Sequence, residues 1–173
     1  MDEMQIRKSL SQLTKKSKAD AKRDTCYICE MPVSSFCNSH IIPQFVLRAI
    51  ALDGELIQST ALAGIDHVDN IKGVKNSGVF HLICNECDSQ VFSDYESPDI
   101  IVKPPTNRLL AQIALKNHLL DISKRLFEKS LYSNVQDKYN TFLNKEDMDL
   151  EHDLDLRDYA WSYRRAKKIL DKR

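Results

Sequence analysis

Two short cysteine pairs are the residues of this sequence whose types and spacing best fit a chemical role. They read CYIC, with Cys26 and Cys29, and CNEC, with Cys84 and Cys87. Zinc prefers four tetrahedral ligands, and a two-residue spacer lets both sulfur atoms of a pair reach one ion at about 2.3 Å. Because the chain has five cysteines in all, coincidence explains this arrangement of four of them poorly. The sequence therefore predicts one structural zinc ion bound by these four thiolates.

The hydropathy of the chain favours a reducing compartment, in which cysteines bind metal rather than form disulfides. The N-terminus has no continuous apolar stretch of the kind that a secretory signal contains. No apolar run reaches the roughly 18 residues that a membrane span needs. We therefore expect a cytoplasmic protein without a membrane partner. Cys37 lies outside both pairs, and we expect it to be a buried thiol in a strand.

The charges balance overall but are unevenly distributed along the chain. There are 25 Lys and Arg residues against 25 Asp and Glu residues, which gives a net charge of 0. Residues 7–23 and 161–173 are basic, whereas residues 146–158 are acidic. Basic segments can contact the phosphates of DNA or RNA, but solvated helix faces and a flexible tail explain them as well. Both interpretations stay open.

Composition and patterning divide the chain into three parts. Low glycine and proline counts (4 and 5) favour helices, and 42% hydrophobic residues fit a globular chain. Residues 1–23 are expected to form a basic helix or arm, residues 24–97 a zinc-binding domain, and residues 98–173 a helical extension. The predicted helices of the extension run from 106 or 107 to about 132, over 134–144, and over 155–170.

Shorter elements are predicted around the cysteine pairs. Pro43 is expected at the first position of a helix, which Asp53 and Gly54 end. Strands are expected within 33–42 and 79–83. An amphipathic helical segment is expected from Cys87 to Glu96.

One further motif, Ser39-His40-Ile41-Ile42-Pro43, lies between the cysteine pairs. With it, residues 24–96 resemble the zinc-containing HNH endonucleases, whose core reads C-x-x-C, D-H-I-x-P, Asn, then C-x-x-C-H. The chain is more similar to a group of bacterial and phage proteins of unknown function. They share SHIIPQF-, CNEC- and FSDYE-like strings, which stand here at 39–45, 84–87 and 92–96. The resemblance implies an α+β fold with a treble-clef zinc core, made of a short β-hairpin and a helix.

The resemblance also implies roles for individual residues. His40 takes the position of the general base that activates water against a phosphodiester. Ser39 and Asp88 take the positions that hold a catalytic divalent metal, Mg²⁺ or Mn²⁺. Serine is a poor ligand where a carboxylate is expected, and Val79 stands where the family has its Asn; His81 follows two residues later. These departures weigh against hydrolysis.

The remaining acidic and histidine candidates receive structural interpretations. If the helix continued from Asp88 to Glu96, eight residues would span about 12 Å, too far for both carboxylates to share one small ion. Glu96 is therefore expected to make a separate polar contact. His67, His118 and His152 belong to no constellation and are expected to be surface or core residues.

Three functions remain open. The first is a nuclease of the HNH type with His40 as its base, which the S-H-I-I-P string favours. The second is an inactive zinc-binding module that contacts nucleic acid or a protein partner, which Ser39 and the missing Asn favour. The third is an inhibitor or adaptor in a conflict between phage and host. We expect an HNH-like nuclease scaffold, and we leave its activity open.

Overall fold

The computed structural model describes residues 3–57, 71–139 and 144–171, and these residues form an α+β fold that is mainly helical. The α+β class expected from the sequence is therefore confirmed. The helices are α1 (Glu3–Asp20), α2 (Gln44–Ile50), α3 (Asn85–Val91), α4 (Pro98–Ile101), α5 (Asn107–Tyr139) and α6 (Lys145–Leu170). The strands are β1 (Ser39–His40), β2 (Glu55–Ile57), β3 (Ile71–Gly73) and β4 (Val79–Phe80).

The strands form two small antiparallel pairs, and they are shorter than the sequence predicts. β1 pairs with β4, with Ser39 opposite Phe80 and His40 opposite Val79. β2 pairs with β3. The expected strand over 33–42 is reduced to two residues because the preceding segment makes only single contacts, such as the hydrogen bond from Cys37 N to Ile83 O at 2.8 Å.

Helix α2 begins one residue later than predicted and ends earlier. Pro43 is its N-cap rather than its first helical residue. The helix ends at Ile50, and Asp53 and Gly54 form a separate turn with positive φ angles of 51° and 79°. Glycine adopts positive φ angles without steric cost, so Gly54 suits the tight turn before β2.

The C-terminal helices differ from the prediction in number and in bounds. α5 is one continuous helix of 33 residues, because neither glycine nor proline interrupts it between Asn107 and Tyr139. The predicted second helix over 134–144 is therefore wrong in its first part, and 140–143 lie outside the described residues. α6 begins at Lys145, ten residues before the predicted 155. Asn144 caps it by accepting a hydrogen bond from Glu146 N at 3.1 Å, and acidic residues in the first turn favour the positive end of the helix dipole.

One buried cluster joins the cysteine-bearing segment to the helical extension. α6 packs along α5, and α1 packs along another part of α5. The cluster takes residues from both cysteine pairs, β4, α5 and α6, among them Cys26, Phe80, Leu119 and Tyr163. The domain boundary at 97/98 stays a prediction, but the buried core runs across it. Within the described ranges, no helix combines the length and the apolar content needed to cross a bilayer.

Candidate metal centre

The first cysteine pair lies in a tight turn closed by backbone hydrogen bonds. Glu30 N donates to Cys26 O and Cys26 N donates to Met31 O, both at 2.9 Å. Glu30 adopts a left-handed φ of 61°, which reverses the chain directly after Cys29. The turn leaves Cys26 fully buried and Cys29 exposed. The Sγ atom of Cys29 thus closes the site from the solvent side.

The second cysteine pair starts helix α3. Cys84 is the N-cap of this helix, and its Sγ accepts a hydrogen bond from Cys87 N at 3.4 Å. Two further bonds bring the pairs together. Tyr27 N donates to Leu82 O at 2.8 Å, and Cys84 N donates to Cys26 Sγ at 3.4 Å.

The geometry of the four cysteines fits a metal site, whereas their thiols differ in electrostatics. The Sγ atoms of Cys26, Cys29, Cys84 and Cys87 all lie within 4.8 Å of one another. A tetrahedral zinc site with bonds of about 2.3 Å needs sulfur separations of roughly 3.8 Å. Burial opposes ionisation of Cys26, but the backbone N–H groups of Cys29, Cys84 and Ile28 outweigh it and lower its pKa to about 7. Burial and hydrogen bonds from the neighbouring cysteines raise the pKa of Cys87. Four cysteines placed in this way can hold a metal ion such as zinc.

Asp88 lies directly after the second pair, and its carboxylate accepts three hydrogen bonds from protein side chains. Its Oδ1 accepts hydrogen bonds from Ser39 Oγ at 2.6 Å and from Lys116 Nζ at 3.1 Å. Its Oδ2 accepts a bond from Cys37 Sγ at 3.3 Å. Burial, followed by the charge of Asp88, raises the pKa of Cys37 to about 12, so this thiol stays protonated and donates.

The Glu96 carboxylate reaches the same lysine as Asp88. Lys116 Nζ lies 2.7 Å from Glu96 Oε1. The distance argument from the sequence is therefore wrong in its premise, because α3 ends at Val91 and the chain turns back before Glu96. Glu96 makes a polar contact, but not the separate one that the sequence predicts, because it shares Lys116 with Asp88.

Ser39, Asp88, Glu96 and Lys116 form what we call the Lys116 cluster. Lys116 is the member that sequence reasoning missed. The sequence predicts a helical extension and no role for Lys116, yet the side chain of Lys116 is 0% exposed. It lies on α5 between the buried residues Gln112 and Leu119. Lys116 lies four residues after Gln112 and three before Leu119. Because a buried helix face recurs every three to four residues, this spacing was the signal in the sequence.

His40 lies on β1 next to this cluster, but its side chain has a different partner. It is 6% exposed, and Gln44 Nε2 lies 3.3 Å from its Nε2. Successive residues of a strand point to opposite faces, which separates His40 from Ser39 and from the Asp88 carboxylate.

The other histidines have varied surroundings. His152 is buried, and its Nδ1 contacts Arg125 at 3.1 Å. His118 is half-buried, and His67 lies outside the described residues. His81 is exposed and contacts Asn38 Oδ1 at 2.7 Å. Partial desolvation and the nearby Lys18 and Lys22 lower the pKa of His81.

Basic residues from both ends of the chain meet beside the first cysteine pair. Tyr27 packs edge to face against Tyr163 of α6, with ring centroids 5.1 Å apart. The Arg23 guanidinium lies 5.3 Å above the Tyr27 ring. Burial raises the pKa of Tyr27, and the charges of Arg23 and Arg164 oppose that shift. Lys167 Nζ donates to Ile28 O at 3.4 Å. We call this area the knuckle surface, defined by Arg23, Tyr27, Arg164 and Lys167.

Comparison with known proteins gives no match for this chain among family models, curated proteins or solved structures.

Proposed function

We propose that this chain is a zinc-stabilised module of the HNH type that binds nucleic acid without hydrolysing it. The order of its elements supports the HNH-like part. A cysteine turn is followed by β1, by its partner β4, and by a second cysteine pair that starts α3. This is the order of a ββα core with a treble-clef zinc site, which is the fold we propose for residues 24–97.

The contacts of Lys116 favour binding over metal-dependent hydrolysis. Asp88 stands where the HNH pattern holds its catalytic metal, and a buried ammonium already lies 3.1 Å from that carboxylate. Ser39, at the other metal position, donates to the same carboxylate. A catalytic metal needs ligands that are free to coordinate it, and these side chains are committed to each other.

The knuckle surface carries the nucleic-acid part of the proposal. Positive side chains from the segment before Cys26 and from α6 converge there, although they are up to about 140 residues apart in sequence. Arg23 and Arg164 are exposed, and neither takes part in an ion pair between described residues. Unpaired arginines bind phosphates through paired N–H groups. We propose that this surface contacts the phosphate backbone of DNA or RNA.

Neutralising the knuckle surface is expected to weaken binding and to reduce its salt dependence. Arg23→Gln/Arg164→Gln removes two positive charges and keeps long polar side chains. Each duplex phosphate contact contributes about 0.9 to the log–log salt slope, so losing two lowers the slope by about two units. Fluorescence anisotropy with a labelled duplex, between roughly 50 and 200 mM salt, measures both quantities.

A matched variant separates local contacts from overall charge. Arg48→Gln/Lys103→Gln removes the same charge from exposed residues in α2 and in the linker after α4. It is expected to keep nearly the parental slope. Equal losses of affinity and of salt slope in both double variants would show that the knuckle surface makes no specific contact with nucleic acid. Absence of binding to duplex and single strands at low salt would instead favour the protein-partner alternative, such as an adaptor in phage–host conflict.

A second candidate, hydrolysis with His40 as general base, is favoured by the pairing of His40 on β1 with Val79 on β4, between the two cysteine pairs. Under our proposal, the wild-type protein leaves plasmid and single-stranded substrates intact in both Mg²⁺ and Mn²⁺. If it cleaves them, His40→Ala should reduce the rate by about 10²–10⁴. His81→Ala, which alters an exposed histidine, is the control. Cleavage lost only in His40→Ala would establish the nuclease in place of the binding module.

A further inference from the structure

The outer face of helix α6 carries the only tryptophan of the sequence, Trp161. The opposite face of this helix is buried through residues such as Tyr163 and Ala166, whereas Trp161 is 53% exposed. An indole ring offers a wide, flat apolar surface, and tryptophan is for that reason enriched where proteins bind other molecules. Trp161 is therefore a candidate contact residue outside the cysteine site.

An arginine lies against the ring of this tryptophan. Arg165 follows Trp161 by one helical turn, and its guanidinium carbon is 4.6 Å from the centroid of the indole ring. Because Trp161 remains half exposed with Arg165 in this position, part of its ring is open to a partner. Unpaired bases stack on aromatic rings and on guanidinium planes, so the two side chains together suit a base.

The charges around Trp161 favour an anionic partner on its C-terminal side. Arg164, Arg165 and Lys168 are exposed, and none of them forms an ion pair with another described residue. Before Trp161, by contrast, residues 146–158 of the same helix are mainly acidic. A polyanion is therefore attracted toward one side of the tryptophan and repelled from the other.

The attractive side of Trp161 continues into the knuckle surface. Arg164 belongs to that surface and stands three residues after Trp161, and residues at this spacing are neighbours on a helix. A strand whose phosphates contact Arg164 thus brings its bases within reach of the indole ring. In a duplex, the bases are paired and stacked on one another, so only an unpaired base can use the ring.

We propose that Trp161 stacks on an unpaired base of single-stranded DNA or RNA whose phosphates contact Arg164 and Arg165. This inference rests on the proposed binding of nucleic acid at the knuckle surface, and it specifies a single strand as the preferred form. Stacking tolerates any sequence because every base has a π-face. We therefore expect the contact to discriminate unpaired from paired bases rather than one base from another.

The fluorescence of the single tryptophan reports stacking directly in the zinc-loaded full chain. Oligothymidylate and oligouridylate, as probes for DNA and RNA, are expected to quench the emission of Trp161. An abasic strand of the same length keeps the phosphates without the bases, and a duplex keeps its bases paired. Both are expected to leave the emission nearly unchanged. Equal quenching by the abasic strand would overturn the inference, because charge alone would then explain the signal.

Substitution of Trp161 tests its contribution to affinity, which fluorescence anisotropy of a labelled strand measures. Trp161→Leu is expected to weaken binding of oligothymidylate on the order of tenfold and to leave duplex binding and its salt slope unchanged. Trp161→Phe keeps an aromatic ring and should retain most of the affinity. Leu154→Ala is the matched control, since it shortens another exposed apolar residue of α6, and it should bind like the parent.

The outcomes separate this inference from the proposed function. If the parent binds single strands and Trp161→Leu binds them equally well, or loses duplex binding to the same extent, the stacking inference is wrong while the phosphate contacts stand. If neither strands nor duplex bind at low salt, both are wrong. If Trp161→Leu does not fold, the emission of the wild type decides: quenching by oligothymidylate and not by the abasic strand supports stacking, and unchanged emission in bound protein overturns it.

Discussion

Cys84→Ser is expected to abolish metal binding and to leave most of the chain unfolded. Cys84 caps α3 and contributes to the cysteine cluster, so its loss affects the site and the helix together. Structural zinc contributes about 10–16 kcal/mol in zinc-finger peptides, whereas a whole domain is stable by only about 5–15 kcal/mol. The short strands and the small buried cluster cannot replace that contribution.

Elemental analysis and circular dichroism check this prediction. The wild-type protein is expected to carry about one zinc ion per chain. Cys37→Ser is the matched control, because Cys37 lies outside the cluster and serine keeps a donor for Asp88. The control should retain its zinc and its cooperative unfolding. Folded, soluble wild-type protein without zinc would contradict the assignment, and so would a Cys84→Ser variant that unfolds like the parent.

The sequence predicts the cysteine site because its signal is local. Within each pair, Cys26 with Cys29 and Cys84 with Cys87, the two-residue spacing fixes how both sulfurs can face one ion. The meeting of the two pairs depends on long-range hydrogen bonds such as Tyr27 N to Leu82 O. No periodicity predicts those bonds, but the chemistry of a four-thiolate site requires the pairs to meet.

Helix boundaries were less predictable than helix existence. The long helix α5 was expected to end near 132, yet it continues to Tyr139 because nothing in that stretch disfavours helical geometry. The predicted start of the last helix near 155 leaves out most of the acidic run 146–158, although acidic residues stabilise the first turns of a helix. Asn144, which caps α6, was the local signal for the true start.

The Lys116 cluster could not be derived from spacing alone. Its members come from β1, α3, the turn after α3, and α5, and they meet only in the tertiary structure. The resemblance to HNH endonucleases implies one half of it, since it places Ser39 and Asp88 at metal positions where serine is a poor ligand. A lysine within the buried stripe of α5 supplies the missing cation.

Lys116→Met is expected to destabilise the protein by about 3–5 kcal/mol, which is the typical loss when one partner of a buried ion pair is removed. Methionine keeps most of the side-chain volume, so the effect comes from the charge rather than from a cavity. Asp88 would lose a donor and keep its charge beside the side chain that replaces Lys116, in a position that is 0% exposed. Because Glu96 is 35% exposed and can turn toward water, the loss should lie near the lower end of that range.

Two further variants decide whether charge is the cause. Lys124→Met changes an exposed lysine of the same helix and should alter stability by less than about 0.5 kcal/mol. Lys116→Met/Asp88→Asn/Glu96→Gln removes all three charges and should recover part of the loss, since replacing a complete buried ionic group is often close to neutral. Urea unfolding of the zinc-loaded proteins, with equal slopes, measures these differences. If Lys116→Met were as stable as Lys124→Met, the ammonium would not stabilise the core. The interpretation that Lys116 balances the charges of Asp88 and Glu96 would then be wrong.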